Sequence, residues 1–167
     1  NAPIRTLDDE RNHLFKDFLR VVSSLKPKAV LIENVPGIIS LGQGTVVQQI
    51  YAELETLGYK VKHKILFAGH YGIPQMRFRT IFIGIREYKG EIVFPEPEFD
   101  AKAVANFTGA KELCISTPPL FYPDLKPQVN VWAALSDLPE IENSQTTSPD
   151  RYSCIEQNDY QKYLRNK

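Results

Sequence analysis

A short apolar run between two proline-containing breaks is the feature that most limits how this chain can fold. Residues 29 to 32 are continuously apolar, with Pro27 before them and Pro36 and a glycine after them. An apolar run of this length is typical of a parallel strand that is covered on both faces. The polar residues that follow it, Glu33 and Asn34, are therefore expected at the carboxyl end of a strand, where α/β proteins bind ligands.

Periodicity on either side of this run predicts two helices and two more strands. Apolar stripes at helical spacing predict helices over residues 8 to 26 and 44 to 57. Alternation predicts strands over residues 60 to 67 and 80 to 85, and the segment between them is too short for a crossover helix. We therefore expect antiparallel neighbours in an α/β fold, as the second half of a sheet with a reversed strand near its edge.

The last part of the chain changes character. Residues 89 to 128 contain six prolines and no sustained period, which predicts an irregular, extended surface segment. Short helices are predicted over residues 131 to 138, where Trp132 is expected to be a packing anchor, and over residues 156 to 166. The second of these helices is expected to carry Tyr160, Tyr163 and Leu164 on one face.

Composition narrows the class of protein. The 167 residues are 43% hydrophobic and 24% charged, which is typical of a globular domain, and no stretch approaches the ~20 apolar residues of a membrane span. Cys114 and Cys154 lack C-x-x-C spacing, which argues against a metal cluster, and no secretory signal is visible, so a cytoplasmic location is expected. The isolated histidines His13, His63 and His70 are expected in ordinary surface or loop positions. The net charge of zero does not itself indicate a nucleic-acid partner.

A second polar cluster precedes the last predicted strand of the sheet. The sequence Y-G-I-P-Q-M-R-F-R occupies residues 71 to 79, and its polar members Gln75, Arg77 and Arg79 alternate. Alternate residues of an extended segment share one face, and the planar fork of arginine suits a carbonyl or a phosphate. A carboxylic acid such as Glu33 can form a hydrogen bond with a ring nitrogen. Together with such arginines, it would suit nucleotide chemistry.

Together, E-N-V at residues 33 to 35 and Y-G-I-P-Q-x-R-x-R at residues 71 to 79 resemble motifs of the bacterial cytosine-5 DNA methyltransferases. A third run, D-x-R-x-x-L-F at residues 9 to 15, extends the resemblance, which is sharpest over residues 8 to 86. It implies part of a Rossmann-like methyltransferase sheet. Residues 1–88 are then a partial catalytic domain, and residues 89–167 a connector toward a target-recognition domain.

The resemblance also implies roles for individual residues in methylating a flipped cytosine of double-stranded DNA. Glu33 would donate to ring nitrogen N3, Arg79 to the cytosine O2, and Arg77 would contact a phosphate or a neighbouring carboxylate. Asn34 and Val35, together with Gln75, would shape and support the site without a chemical step of their own. For Leu14, contact with the adenine of the methyl donor S-adenosylmethionine and plain core packing are both open.

The family's nucleophilic P-C-Q motif and its methyl-donor loop F-x-G-x-G do not occur in these 167 residues. Neither cysteine follows a proline, so neither takes the role of the nucleophile. We therefore expect that the chain does not methylate DNA alone, and its first residue, Asn1, suggests a fragment or a processed chain. A sheet interrupted here would have an unpaired edge and an apolar face, which predicts association with a complementary chain or with a second copy of this chain. Two alternatives remain: a non-catalytic binding module of the same fold, and an unrelated α/β nucleotide-binding protein.

Overall fold

A computed structural model describes residues 14–102, 124–139 and 155–166. Its main elements are α1 (Leu14–Leu25), β1 (Ala29–Asn34), α2 (Thr45–Thr56), β2 (Tyr59–Phe67), β3 (Phe78–Arg86), β4 (Phe99–Asp100), β5 (Lys126–Pro127), α3 (Val131–Leu135) and α4 (Asp159–Arg165). Short 3-10 turns lie at Pro36–Ile39, Leu41–Gly44 and Ala68–Tyr71. The start of the first predicted helix, His13 and both cysteines lie outside the described residues. No helix in the described ranges is long and apolar enough to cross a membrane.

The main sheet has the strand order β1-β3-β2, and β3 runs antiparallel to both of its neighbours. The predicted antiparallel pairing of the last two strands is therefore confirmed, as is the presence of one reversed strand. The reversed strand lies between the other two, so β1 and β2 point the same way without touching each other. This arrangement brings the end of β1 beside the start of β3.

One face of this sheet forms the core with α1 and α2. Alternate strand residues point toward the helices, as a period of two requires. The buried cluster consists of Leu19, Val22, Val30, Ile38, Ile50, Leu54, Tyr59, Val61 and Phe82. The helix stripes predicted from the sequence are confirmed at their centres, whereas the end residue Leu25 is exposed.

The opposite face of β1 is not covered by any of the described elements. The sequence predicted a parallel strand covered on both faces, and within the described residues this is wrong on both points. The only described partner of β1 is the antiparallel β3, and Leu31 is 62% exposed because no described element covers it. Four apolar residues in a row cannot show which covering elements are present. An open apolar face and an edge without a described partner are what an interrupted sheet was expected to have.

The segment after β3 is extended, as predicted, over residues 89 to 102, but it is not purely a surface segment; residues 103 to 123 of the predicted segment lie outside the described residues. Ile92, Phe94 and Ala101 are buried, and Ala101 belongs to a second apolar cluster with residues of β2 and β3. The segment is also tied to β2, where Lys60 donates to the Gly90 carbonyl at 2.7 Å. The division of the chain near residue 88 therefore stays a prediction, because residues on both sides of it share a core.

Helices α3 and α4 are joined by polar contacts rather than by the predicted apolar face. Gln161 is fully buried and donates to the Ser136 hydroxyl at 2.9 Å, and Arg165 donates to both carboxylate oxygens of the buried Asp137 at 3.1 and 2.9 Å. Tyr163 and Leu164, which the sequence placed on one face of this helix, are both exposed. Trp132 is 78% exposed, so its predicted role as a packing anchor is also wrong in the described structure. The apolar pattern of a helix as short as α4 did not predict its buried face, because the residue that is fully buried there is the polar Gln161.

Two histidines make specific packing contacts. His70 lies in the turn Ala68–Tyr71, so its expected loop position is confirmed although it is buried, whereas His63 lies half-buried within β2. The His63 ring stacks on Phe82 with centroids 5.0 Å apart, and its Nδ1 shares a 2.8 Å hydrogen bond with the Tyr51 hydroxyl. His70 is buried and packs edge-on against Phe67. Burial lowers the pKa of both rings below the usual value; for His70, a backbone contact at Ala101 and nearby acidic charge partly oppose this effect.

These lowered pKa values predict acid sensitivity. Because the folded chain binds fewer protons than the unfolded chain, whose histidines titrate near about 6.5, the free energy of unfolding should fall as the pH drops from about 7.5 to about 5.5. Above this window the contribution of the two histidines is complete. Urea denaturation across the window measures the slope, and the variant His63→Gln/His70→Gln serves as the comparison. An equal slope in the variant would contradict the assignment.

Candidate active site at the end of the sheet

The pairing of β1 with β3 brings the two sequence motifs together. Glu33 lies directly opposite Ile81, so its side chain shares a face of the sheet with Ile81 and, two residues earlier, with Arg79. The Glu33 carboxylate makes an ion pair with Arg79, through oxygen Oε1 and the guanidinium Nε. Arg77 approaches the same oxygen, with its Nη2 at 3.7 Å. One carboxylate and two guanidinium groups, about forty residues apart in sequence, thus form one cluster.

This cluster is accessible to a ligand. The side chains of Glu33 and Arg77 are each 47% exposed, whereas that of Arg79 is 25% exposed. Arg79 is also held by its own strand, because its Nη1 donates to the Phe78 carbonyl at 2.8 Å. Ion pairs as exposed as these typically contribute about 0 to 1 kcal/mol to stability. Folding alone therefore gives little reason for three charged groups to meet here.

The residues predicted to support the cluster shape the backbone around it. The Asn34 side chain accepts a hydrogen bond from the Val35 amide at 2.8 Å, which fixes the chain where β1 ends and the turn Pro36–Ile39 begins. Gln75 lies on the loop before β3 and is exposed. Its carbonyl accepts from the Arg77 amide at 2.8 Å. The predicted local role of Asn34 agrees with this geometry.

Leu14 is not brought into the cluster by any described contact. It is the first residue of α1, is 66% exposed and lies outside the buried core cluster. Of the two roles that the sequence left open, core packing does not fit the described structure. Contact with a methyl donor stays a prediction, and an uncovered leucine side chain is compatible with it.

Thr80 is a residue beside the site that sequence reasoning missed. It follows Arg79, lies opposite Asn34 and Ile65 in the register, and is fully buried. Its hydroxyl has no hydrogen-bond partner among the described residues. A lone threonine in the otherwise apolar strand sequence T-I-F-I-G-I was the available signal.

The unpaired hydroxyl of Thr80 leads to a testable prediction about stability. Replacing it by a methyl group of similar shape removes the cost of desolvating a hydroxyl, so Thr80→Val should leave stability unchanged or raise it by about 1 kcal/mol. Urea denaturation measures this difference. Thr80→Ser is the matched control, since it keeps the hydroxyl, removes a buried methyl and should lower stability by roughly 1 kcal/mol. A loss of stability in Thr80→Val would show that the hydroxyl does have a partner.

Comparison with known proteins identifies the family that this chain resembles. The family model of the C-5 cytosine-specific DNA methylases matches residues 4–165. The type II methyltransferase M1.HphI of Haemophilus parahaemolyticus is 50% identical over 90 residues, which is 54% of this chain and 24% of that protein. The type II methyltransferase M.AgeI of Thalassovita gelatinovora is 33% identical over 162 residues, covering 95% of this chain and 36% of that protein.

A solved structure shows the same fold. It is described as that of a DNA modification methyltransferase encoded within an E. coli prophage, and it aligns with a TM-score of 0.52 at 27% identity. The alignment covers 86% of this chain and 37% of that chain. The predicted α/β, Rossmann-like methyltransferase architecture is thereby confirmed.

The chain belongs to the C-5 cytosine-specific DNA methylase family, because the family model spans nearly all of it. The resemblance stated from the two motifs is confirmed. The family also extends to plants, since DNA (cytosine-5)-methyltransferase 3 of Zea mays is 30% identical over 95% of this chain. This chain spans 18% to 36% of the length of these relatives.

Proposed function

We propose that this chain supplies the base-binding part of a DNA cytosine-5 methyltransferase active site. The reaction is transfer of a methyl group from S-adenosylmethionine to carbon 5 of a cytosine flipped out of double-stranded DNA. The observation that carries the proposal is the cluster of Glu33, Arg77 and Arg79 on an accessible face of the sheet. The names of the relatives support the same activity.

The chemistry requires such a cluster. Carbon 5 of cytosine becomes nucleophilic only after a thiolate adds at carbon 6, and negative charge then develops around N3. A positioned acid that donates to N3 neutralises this charge, which is the role proposed for Glu33. Arg79, the less exposed arginine, would donate to the cytosine O2, and the more exposed Arg77 would contact the DNA backbone. The base must leave the stack, because carbon 6 is inaccessible within a duplex.

S-adenosylmethionine supplies the methyl group when it is bound. Within the described residues, Leu14 is the candidate contact, since its exposed apolar side chain suits the face of an adenine ring. The glycine-rich donor loop F-x-G-x-G and the nucleophilic P-C-Q are not within these 167 residues. We therefore propose that the chain works with a segment that carries both motifs and covers the open face of β1 at Leu31.

The role of Glu33 is tested by Glu33→Gln, assayed together with a segment that carries P-C-Q and F-x-G-x-G. Methyl transfer should fall by about 10² to 10⁴, because the amide cannot act as a general acid, while affinity for DNA is retained. Incorporation of labelled methyl groups and DNA binding are measured in parallel. The matched control is Glu91→Gln, which removes another exposed carboxylate that pairs with a cation, Lys62, at 3.0 Å. Unchanged transfer in Glu33→Gln would favour the non-catalytic binding module.

The two arginines should respond differently to replacement by lysine. Arg79→Lys keeps the charge but loses the planar fork that holds both Glu33 and the Phe78 carbonyl, so transfer should fall by roughly tenfold or more. Arg77→Lys should instead weaken DNA affinity modestly, since a phosphate accepts a point charge. Separate measurement of kcat and KM for DNA distinguishes the two effects. Equal effects of the two substitutions would contradict the assigned roles.

A further inference from the structure

The loop that carries the arginine motif is held at both of its ends. We call residues 68 to 77 the arginine loop. The Ala68 amide donates to the Arg77 carbonyl at 2.8 Å, and the Ile73 amide donates back to the Ala68 carbonyl at 3.2 Å. Between them, Gly72 adopts a left-handed conformation with φ of 75°. These contacts fix the path of the loop from the end of β2 to the start of β3.

A second segment closes over this loop from outside. We call residues 95 to 101 the clasp. The Tyr71 hydroxyl donates to the Pro95 carbonyl at 3.0 Å, and the Glu98 amide donates to the carbonyl of the buried His70 at 2.9 Å. The Phe99 ring lies so near Gly72 that a Cβ atom there would be 2.7 Å from two ring carbons.

The clasp is tied in turn to the chain beyond it. β4, within the clasp, pairs with β5, and the Lys126 amide donates to the Glu98 carbonyl at 2.9 Å. The Lys126 Nζ lies 3.3 Å from the Glu98 carboxylate and 5.4 Å from the centre of the Phe99 ring. A continuous set of contacts therefore runs from β5 through Phe99 to Gly72 and the arginine loop.

Something other than the charged cluster must hold the arginines in place. The ion pairs of Glu33 with Arg77 and Arg79 are too exposed to order a loop, whereas base recognition needs side chains held within about 0.5 Å. The clasp supplies backbone hydrogen bonds and close packing at the same loop. The clasp contacts described above involve none of the side chains of Glu33, Arg77 and Arg79.

We propose that Phe99 and Gly72 are positioning residues: their contact locks the clasp onto the arginine loop and sets where Arg77 and Arg79 point. The proposal deepens the proposed function and rests on it for its catalytic consequence. Because the clasp pairs with β5, the positions of these arginines also depend on the part of the connector that contains Lys126. A side chain at position 72 is disfavoured for two reasons: the backbone is left-handed there, and a Cβ atom would clash with the Phe99 ring.

The test separates these two effects by a matched pair of substitutions. Gly72 and Gly58 both have left-handed backbones, with φ of 75° and 84°, but a Cβ at Gly58 would meet nothing within 4 Å. Gly58→Ala therefore carries the backbone strain alone, and Gly72→Ala adds the clash with Phe99. Hydrogen exchange at the amides of Ile73 and Arg77 reports how firmly the loop is held.

In Gly72→Ala we expect these two amides to exchange about tenfold faster than in Gly58→Ala. Adding Phe99→Leu should restore slow exchange, because leucine lacks the two ring carbons that the new Cβ would meet. Phe99→Leu alone is the reference for the double variant, and its two amides should exchange faster than those of the unsubstituted chain, because it removes part of the contact that locks the clasp. Equal exchange in the two alanine variants, or no restoration in the double variant, would overturn the proposal.

Methyl transfer, measured with the complementary segment present, tests the catalytic consequence. Gly72→Ala should lower kcat by about tenfold relative to Gly58→Ala, and adding Phe99→Leu should raise it again to the level of Phe99→Leu alone. If Glu33→Gln abolishes transfer but Gly72→Ala matches Gly58→Ala, the clasp does not position the arginines and the proposal is wrong. If Glu33→Gln has no effect, the proposed function fails, and the exchange measurements alone decide whether the clasp holds the loop.

Discussion

The antiparallel register between β1 and β3 is the constraint on which the site depends. It places Glu33 opposite Ile81 and Asn34 opposite Thr80, so that the end of one strand meets the beginning of the other. A shift of one residue would turn Arg79 toward the core and Thr80 toward the ligand face. The core enforces the register, because Phe82 and Val30 must point toward the helices at the same time. Hydrophobic packing on one face of the sheet thus fixes the charged groups on the other.

Much of the sheet was predictable, because long periodic segments signal their own structure. The second helix and all three strands of the sheet were predicted within a few residues of their observed bounds, as was the end of the first helix, whereas the predicted start of that helix lies outside the described residues. The cluster of Glu33 with the arginines was predictable as chemistry because it rests on residue types at fixed spacing. The ion pairs within this cluster were not predictable, because they depend on the register of the strands. The register depends in turn on which face of each strand is buried, and a short apolar run does not indicate this.

Other features were not predictable for identifiable physical reasons. The clasp depends on a proline-rich segment without periodicity, so no pattern indicated that Phe99 would meet Gly72. The burial of His70 depends on the same tertiary contacts. In α4, the buried residue is Gln161, whose side chain is satisfied by neighbours that only the fold brings near. Each of these features arises from packing between segments that are distant in sequence.

In the pair formed by α3 and α4, the side chains that hold the two helices together are different from the side chains that the pair exposes. Asp137 and Gln161 make the described internal bonds, while Trp132 and Leu135 face outward and take no part in them. Outward positions can therefore change in size and chemistry during evolution without disturbing the internal bonds. Such a pair provides a rigid support whose outward side chains can be replaced without loss of its internal hydrogen bonds.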